Sequence, residues 1–266
     1  MPEGPEVKIA SNFYNDFFEN KEVKFEIITD YYSKKYDEVF KFINNNLSNF
    51  SPTYTVGKNI FLNINENSIF NFHLGMTGGW STNLIKHCHF RVFSKSKELF
   101  FKDVRKFGKM RIISKKYFDE NHNKKIDVLN ELYKKEEHLN LLNKKINGNR
   151  QICKILLDQK LFPGVGNYIK SEVLYKCKIH PEESWKNIDT MQRHMLLEIT
   201  KKIMKKSFKY GGAELKDFKN PFHVSKFKLE VYGKKRTEKN IKVLSLMTSD
   251  KRKSWFCPSI QKLADN

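Results

Sequence analysis

Paired cysteines are missing from this chain. Cys88, Cys153, Cys177 and Cys257 stand far apart with no C-x-x-C spacing, which argues against a disulfide scaffold and against a structural zinc site. They read as buried small hydrophobes. No apolar run approaches the roughly 18 residues of a membrane helix. The first residues are acidic and lead into an amphipathic segment, which argues against a secretory leader. An intracellular protein is expected, neither secreted nor membrane-bound. Acidic side chains are also short in supply, with Asp+Glu 30 against Lys+Arg 50, a net charge of +20 and a pI of about 9.6. A polyanion partner follows, nucleic acid ahead of anionic membrane. The abundance of Lys, Asn, Ile and Phe is also what an A·T-rich coding sequence produces, so part of the charge carries no function.

Apolar residues, by contrast, are plentiful. The 266 residues, 39% hydrophobic with 22 phenylalanines, suffice for two packed domains. The chain starts Met1-Pro2-Glu3-Gly4-Pro5-Glu6. Removal of the initiator methionine leaves Pro2 as a terminal secondary amine beside the Glu3 carboxyl. Terminal amines titrate near 7.7 to 8.0 and lysine near 10.4, so roughly a tenth of such a terminus is neutral at pH 7 against roughly one lysine in a few thousand. Only the neutral amine attacks carbon, which makes this terminus a ready Schiff-base former. The same residues also suit a helix start, with proline in the first turn, acids at the N-terminal dipole, and Val7, Ala10, Tyr14 and Phe17 at helical spacing. Residue types alone leave both readings open.

After this helix, alternation at Val23, Phe25 and Ile27 predicts a strand. Further strands are expected at Thr53 to Ile64, Ser68 to Leu74, His89 to Phe93, Glu98 to Val104 and Lys109 to Ile113, with turns at Asn65-Glu66-Asn67 and Ser94-Lys95-Ser96-Lys97. Many short strands read as a sandwich or barrel. The polar stretch to Lys125 reads as a linker. Helices are then expected around Ile152, Ile155 and Leu156, over Tyr168 to Tyr175, and from Asp189 to Lys209 with Gly211-Gly212 as its stop. Strand-like alternation resumes after residue 222. The expected fold is α+β and multidomain. Residues 1–118 form an N-terminal helix and β-sandwich, 119–125 a linker, 126–222 a helical domain and 223–266 a finger.

Between two of these helices lies Phe162-Pro163-Gly164-Val165-Gly166-Asn167. Its glycines admit a close ligand and the next helix starts with outward N–H groups, a phosphate-binding arrangement; an ordinary turn between helices fits the residues as well. Asp158-Gln159-Lys160, Pro163 to Tyr168, Ser171 to Tyr175 and Ile179-His180-Pro181 together resemble the helix-two-turns-helix of the formamidopyrimidine/endonuclease VIII (Fpg/Nei) DNA glycosylases. Pro2 to Glu6 resembles that family's N-terminus. The resemblance extends to Gly57-Lys58 on a strand, His73 to Gly78, Lys86 to His89, and Asp103 to Gly108, covering nearly the whole chain.

The resemblance implies a bifunctional DNA glycosylase and AP lyase of base excision repair, removing oxidised bases. Pro2 is then the nucleophile and Glu3 the proton donor, with Glu6 a further acid of the site. Lys58 is a phosphate contact assisting β- and δ-elimination, and Arg252 the finger arginine. Met76, Arg105 and Phe107 match the positions that fill the hole left by a flipped base. His73, His87, Arg105, Asn167 and Arg150 are the further DNA contacts, and the DNA is expected between the β-rich and helical halves. Lys251 to Gln261 keeps only Cys257 of the finger's usual cysteines, which resembles the zincless-finger branch, a β-hairpin without metal. No metal or cofactor is expected. The partner is damaged DNA, double-stranded, with single-stranded or bubble DNA left open, and the protein is a monomer.

Gly4 and the zincless finger lean toward the endonuclease VIII-like side, with oxidised pyrimidines or ring-opened purines as substrates. His73 to Met76 and the Arg105/Phe107 pair resemble the formamidopyrimidine side, with 8-oxoguanine. Two other classes remain. A catalytically silent DNA-binding protein has no need of Pro2-Glu3, and an RNA-associated basic protein has no need of Met76 with Arg105 and Phe107.

Overall fold

The computed structural model describes residues 1–19, 21–47, 49–214 and 224–264. The chain divides into two compact units, Met1–His122 with Glu214–Ser225, and Asn123–Ala213 with Lys226–Asn266. The expected boundary between residues 222 and 223 lies outside the described residues. Among these residues no helix is long and apolar enough to cross a membrane.

The first unit is a sandwich of two four-stranded antiparallel sheets. Helix α1 (Gly4–Phe18) leads into β1 (Lys24–Ile27) and α2 (Asp30–Asn46), followed by β2 (Thr53–Val56), β3 (Asn59–Asn63), β4 (Ser68–His73), β5 (Gly78–Ser81), β6 (Cys88–Phe93), β7 (Glu98–Asp103), β8 (Lys109–Ser114) and α3 (Lys115–Asn121). One sheet has the order β1-β6-β7-β5 and the other β2-β3-β4-β8. Alternation sorts the side chains: Phe25, Phe90, Val92 and Phe101 of the first sheet meet Ile60, Leu62, Phe70, Phe72 and Met110 of the second in one buried cluster. Val7, Ala10, Tyr14 and Phe18 of α1 and Tyr32, Tyr36, Phe40 and Ile43 of α2 join the same cluster. Such burial of apolar surface is the main favourable term in folding.

Four features differ from expectation. Helix α2 was not anticipated; its buried residues fall at spacings of four, four and three, a helical stripe written in β-forming Tyr and Phe. Strand β5 begins at two glycines. A Cβ on Gly78 would lie 2.1 Å from the Leu74 carbonyl oxygen, so only glycine lets this strand follow its turn. The segment read as one strand, Thr53 to Ile64, is a hairpin, with Val56 paired to Asn59 across Gly57-Lys58 and Gly57 at φ 62°. Lys58 therefore sits at a tight turn and not on a strand. Part of the expected linker is ordered too: Ser114 Oγ caps α3 by accepting from Tyr117 N at 3.1 Å, and Phe118 is buried with Phe61, Ile69 and Ile113.

The second unit contains α4 (Lys135–Lys145), α5 (Ile152–Leu157), α6 (Asn167–Cys177), α7 (Thr190–Lys209) and the hairpin β9 (Leu244–Met247) and β10 (Lys253–Phe256). Asp189 caps α7 in a reciprocal box with Gln192. Gly212 N closes its other end on the Ser207 carbonyl at 2.8 Å. His138 of α4 is wholly buried and donates from Nε2 to the Leu161 carbonyl at 2.6 Å. Burial, only partly opposed by that carbonyl, pushes it down to about 4. The unfolded chain takes up a proton at an ordinary histidine near 6.5, so the native state is full strength above that pH and weakens as pH falls from there toward about 4. The effect is on the order of 3 kcal/mol. Denaturant unfolding at pH 7 and 4.5 should show His138→Gln losing less stability on acidification than the parent.

Candidate functional site

Glu3 is the N-cap of α1. Its backbone N donates to Glu6 Oε2 at 2.8 Å, while its side chain accepts from the Glu6 backbone N–H in a capping box. Glu3 and Glu6 are 4% and 1% exposed. The two readings of the N-terminus are thus compatible, since the helix start is what holds Glu3 and the adjoining Pro2 in one geometry. Met1 lines a cavity of about 780 Å³.

The same cavity is lined by His73, Met76, Arg105 and Phe107. The motifs between residues 73 and 108 form two loops locked against each other. Gly75, at φ 70°, lies against the opposite loop so closely that a Cβ would be 2.5 Å from the Phe107 carbonyl carbon. Asp103, with no exposed surface, ties both loops together. Its Oδ1 accepts from Thr77 Oγ1 at 2.6 Å and its Oδ2 from Gly108 N at 2.7 Å. Thr77 Oγ1 in turn accepts from Arg105 N at 3.0 Å. Behind them His89 bonds the Asp103 carbonyl at 2.9 Å and stacks on Tyr32 at 4.4 Å. On this base Phe107 is 47% exposed, with the Arg105 guanidinium 4.7 Å from its ring. An exposed aromatic stacked with a cation on a rigid loop suits insertion into a base stack.

Among the described residues the cavity's charged lining is of one sign: Lys35, Arg105, Lys106, Lys109 and Arg111 contribute, with no Asp or Glu. His73 Nδ1 accepts from Gly75 N at 2.9 Å. Burial, with Lys58 and Lys109 nearby, pushes His73 down to about 4, so at neutral pH it is uncharged and its Nε2 carries the hydrogen. It therefore offers an anion a hydrogen bond instead of a charge. Lys58 is partly exposed at the β2–β3 turn. His87 is half-buried at φ 71° and does not line the cavity.

In the second unit, Gln159 clamps the paired turns, accepting from Gly164 N at 3.1 Å and donating to the Val165 carbonyl at 2.8 Å. Arg150, expected as a DNA contact, is paired with Asp158 at 2.9 Å, at the end of α5. Four residues of α6 hold the tail. Asn167 Nδ2 donates to the Lys253 carbonyl at 2.8 Å, and Ser171 Oγ accepts from Trp255 N at 3.4 Å. Glu172 accepts from the backbone N–H groups of Glu230, Val231 and Tyr232 at 2.9 to 3.1 Å. Lys170, 0% exposed, is paired with Asp250, 4% exposed.

That pair governs the turn bearing Arg252. Asp250 Oδ1 accepts from Arg252 N at 2.9 Å and from Thr248 Oγ1 at 2.7 Å, and Thr248 N donates at 3.0 Å to the Arg252 carbonyl, which lies 2.8 Å from the same hydroxyl oxygen. Burial pulls the Lys170 ammonium down while Asp250 supports it. Burial works to raise Asp250, but Lys170 and Thr248 hold it below the usual carboxylate value. The Arg252 side chain is exposed. Cys257 is fully buried with Val231 and Val243, and burial raises its thiol, which keeps it a neutral apolar residue. Among the described residues no group of three or more His, Cys, Asp or Glu is arranged to hold a metal. Asp103, Thr77, Lys170 and Asp250 were not foreseen as site residues; Asp103 and Thr77 had a signal, their places in the motifs Asp103 to Gly108 and His73 to Gly78.

Residues 1–110 match the model of the formamidopyrimidine-DNA glycosylase N-terminal domain, and residues 113–219 that of the formamidopyrimidine-DNA glycosylase H2TH domain. A formamidopyrimidine-DNA glycosylase of Zymomonas mobilis is 32% identical over 204 residues, spanning 72% of this chain and 74% of that protein. One from a Wolbachia of Drosophila simulans is 28% identical over 98% of this chain and 100% of its own length. The solved complex between the Lactococcus lactis Fpg and an abasic site containing DNA superposes with a TM-score of 0.80 at 24% identity, covering 98% of this chain and 99% of that one. With two family domains in order, and the N-terminal cap and locked loops in the corresponding segments, this chain belongs to the formamidopyrimidine-DNA glycosylase family.

Proposed function

We propose that this protein is a DNA glycosylase with AP lyase activity that removes oxidised bases from double-stranded DNA as a monomer. The observation that carries the reading is the capped Pro2-Glu3 terminus on a unit whose cavity is lined by Met1 and by five Lys and Arg side chains, Lys35, Arg105, Lys106, Lys109 and Arg111. With Met1 removed, the Pro2 nitrogen attacks C1′ of the damaged nucleotide and the bond from C1′ to the base breaks. Glu3 supplies the proton that leaves with the base. Charge builds on the sugar in an oxocarbenium-like state, and acid assistance from a positioned carboxyl is worth about 10²–10⁴ in such reactions.

The Pro2 nitrogen then loses its proton, the C1′–O4′ bond breaks and O4′ takes up a proton, which opens the sugar to an iminium at C1′, an electron sink that acidifies C2′. Loss of that proton expels the 3′ phosphate, and a second elimination expels the 5′ phosphate. Lys58 assists at phosphate, His73, His87, Asn167 and Arg252 grip the backbone, and Met76, Arg105 and Phe107 occupy the vacated stack. Arg150, part-exposed and oriented by Asp158, is a further backbone contact. The tail is a zincless finger of the endonuclease VIII-like kind, its turn held by Lys170 and Asp250.

Preference for 8-oxoguanine is the second reading, favoured by the rigid Met76 and Arg105/Phe107 loops and by relatives that carry the formamidopyrimidine name. Duplexes carrying thymine glycol, formamidopyrimidine, a hydantoin or 8-oxoguanine, paired with each opposite base, test both. Base release with strand cleavage on at least one lesion is expected. Binding without release on every lesion would leave a silent DNA-binding protein.

A further inference from the structure

The outer face of the sheet β2-β3-β4-β8 changes character along its length. On β3, β4 and β8 the odd-numbered side chains point away from the sandwich core. At one end Phe61, Ile69 and Ile113 are covered by Phe118 of α3. At the other, Asn59, Asn71, His73, Lys109 and Arg111 all line the cavity. Strand register makes them neighbours, with Asn59 opposite His73, Asn71 opposite Arg111, and His73 opposite Lys109.

The hydrogen bonds within this row all run one way. Arg111 Nε donates to Asn71 Oδ1 at 2.9 Å, and Asn71 Nδ2 donates to Asn59 Oδ1 at 3.2 Å. Asn71 is 4% exposed, so it is a fixed seat and not a surface amide. The Tyr117 ring, 5.2 Å from the guanidinium, steadies Arg111 further. Both amide oxygens are thereby used inside the row. What remains to be offered is donors only: the Arg111 Nη groups, the Lys109 ammonium, the Asn59 amide and the His73 Nε2–H. Adenine and cytosine edges carry donors that would go unmatched here, and guanine's O6/N7 edge, which carries acceptors alone, occurs only where the sequence supplies it. A phosphate carries acceptors alone, and a planar guanidinium fork matches two of its oxygens.

We propose that Arg111, seated by Asn71 and flanked by Lys109, is a phosphodiester-binding site for the nucleic-acid backbone, separate from Lys58, Asn167 and Arg252. The assignment rests on the DNA-directed reading above. Binding to a duplex with a stable abasic analogue, measured across a salt series, tests it. Arg111→Gln should weaken binding about five- to tenfold and flatten the log–log salt slope by about 0.9, one phosphate's worth. Asn71→Leu should weaken binding in the same direction and add nothing in the Arg111→Gln background. Lys41→Gln, which removes an equal charge from an exposed lysine on α2, should behave as the parent.

A parental slope for a folded Arg111→Gln variant, verified by its melting temperature, overturns the proposal. Inorganic phosphate at matched ionic strength should displace DNA from the parent more readily than from Arg111→Gln, and equal displacement from both would also overturn it. A parent protein with no salt-dependent DNA binding would fail the functional reading itself, a distinguishable result.

Discussion

Glu3→Gln should lower base release about 10²–10⁴-fold while leaving the fold intact. The amide oxygen of Gln can still accept from the Glu6 N–H, and the Glu3 N–H to Glu6 bond is a backbone donation that the substitution does not touch. Helix α1 therefore keeps its start, and with it Val7, Ala10 and Tyr14 keep their places in the core. What is lost is the transferable proton at that position. Single-turnover base release on the preferred lesion, beside thermal unfolding of both proteins, separates the two effects. A variant as active as its parent would remove Glu3 from the chemistry and leave it only as a cap.

Lys170→Met should cost about 3–5 kcal/mol of stability, because it strands the Asp250 carboxylate in a buried site without its cation. The double variant Lys170→Met/Asp250→Leu should recover most of that loss, since well-packed apolar pairs often replace buried ion pairs without penalty. Excision should not recover. Arg252 N and Thr248 Oγ1 both donate to Asp250 Oδ1, so the apolar pair removes the acceptor that sets the Arg252 turn. A displacement of this kind can cost up to about 10²-fold in rate. Denaturant unfolding and excision rates measured on both variants test this; recovery of both together would mean the pair serves stability alone.

The sequence was most legible where periodicity had no competitor. Strands β4 and β8 follow from clean alternation, and α7 from its spacing and terminal glycines. Helix α2 was hidden because Tyr32, Tyr36 and Phe40 are as much at home in strands as in helices, so composition masked the spacing. The β2–β3 hairpin was hidden because Gly57-Lys58 sits inside a continuous β-forming run with no turn cluster around it.

The candidate site divides in the same way. Pro2, Glu3 and the loop residues Met76, Arg105 and Phe107 are local signals, readable once their motifs are joined. Their supports are not local. Thr77 meets Asp103 across 26 positions and Lys170 meets Asp250 across 80, and one lysine among Lys+Arg 50 carries no mark of its own. Only folding reveals that Lys170 is buried.

The central claim, that the Pro2 amine forms the covalent link to sugar, is tested most directly by borohydride reduction in the presence of abasic DNA. A protein with free Pro2 should be trapped as a stable adduct through its N-terminal peptide, and the same protein retaining Met1 or acylated at Pro2 should give none. An adduct that survives the block, or its absence with a free Pro2, would contradict the account.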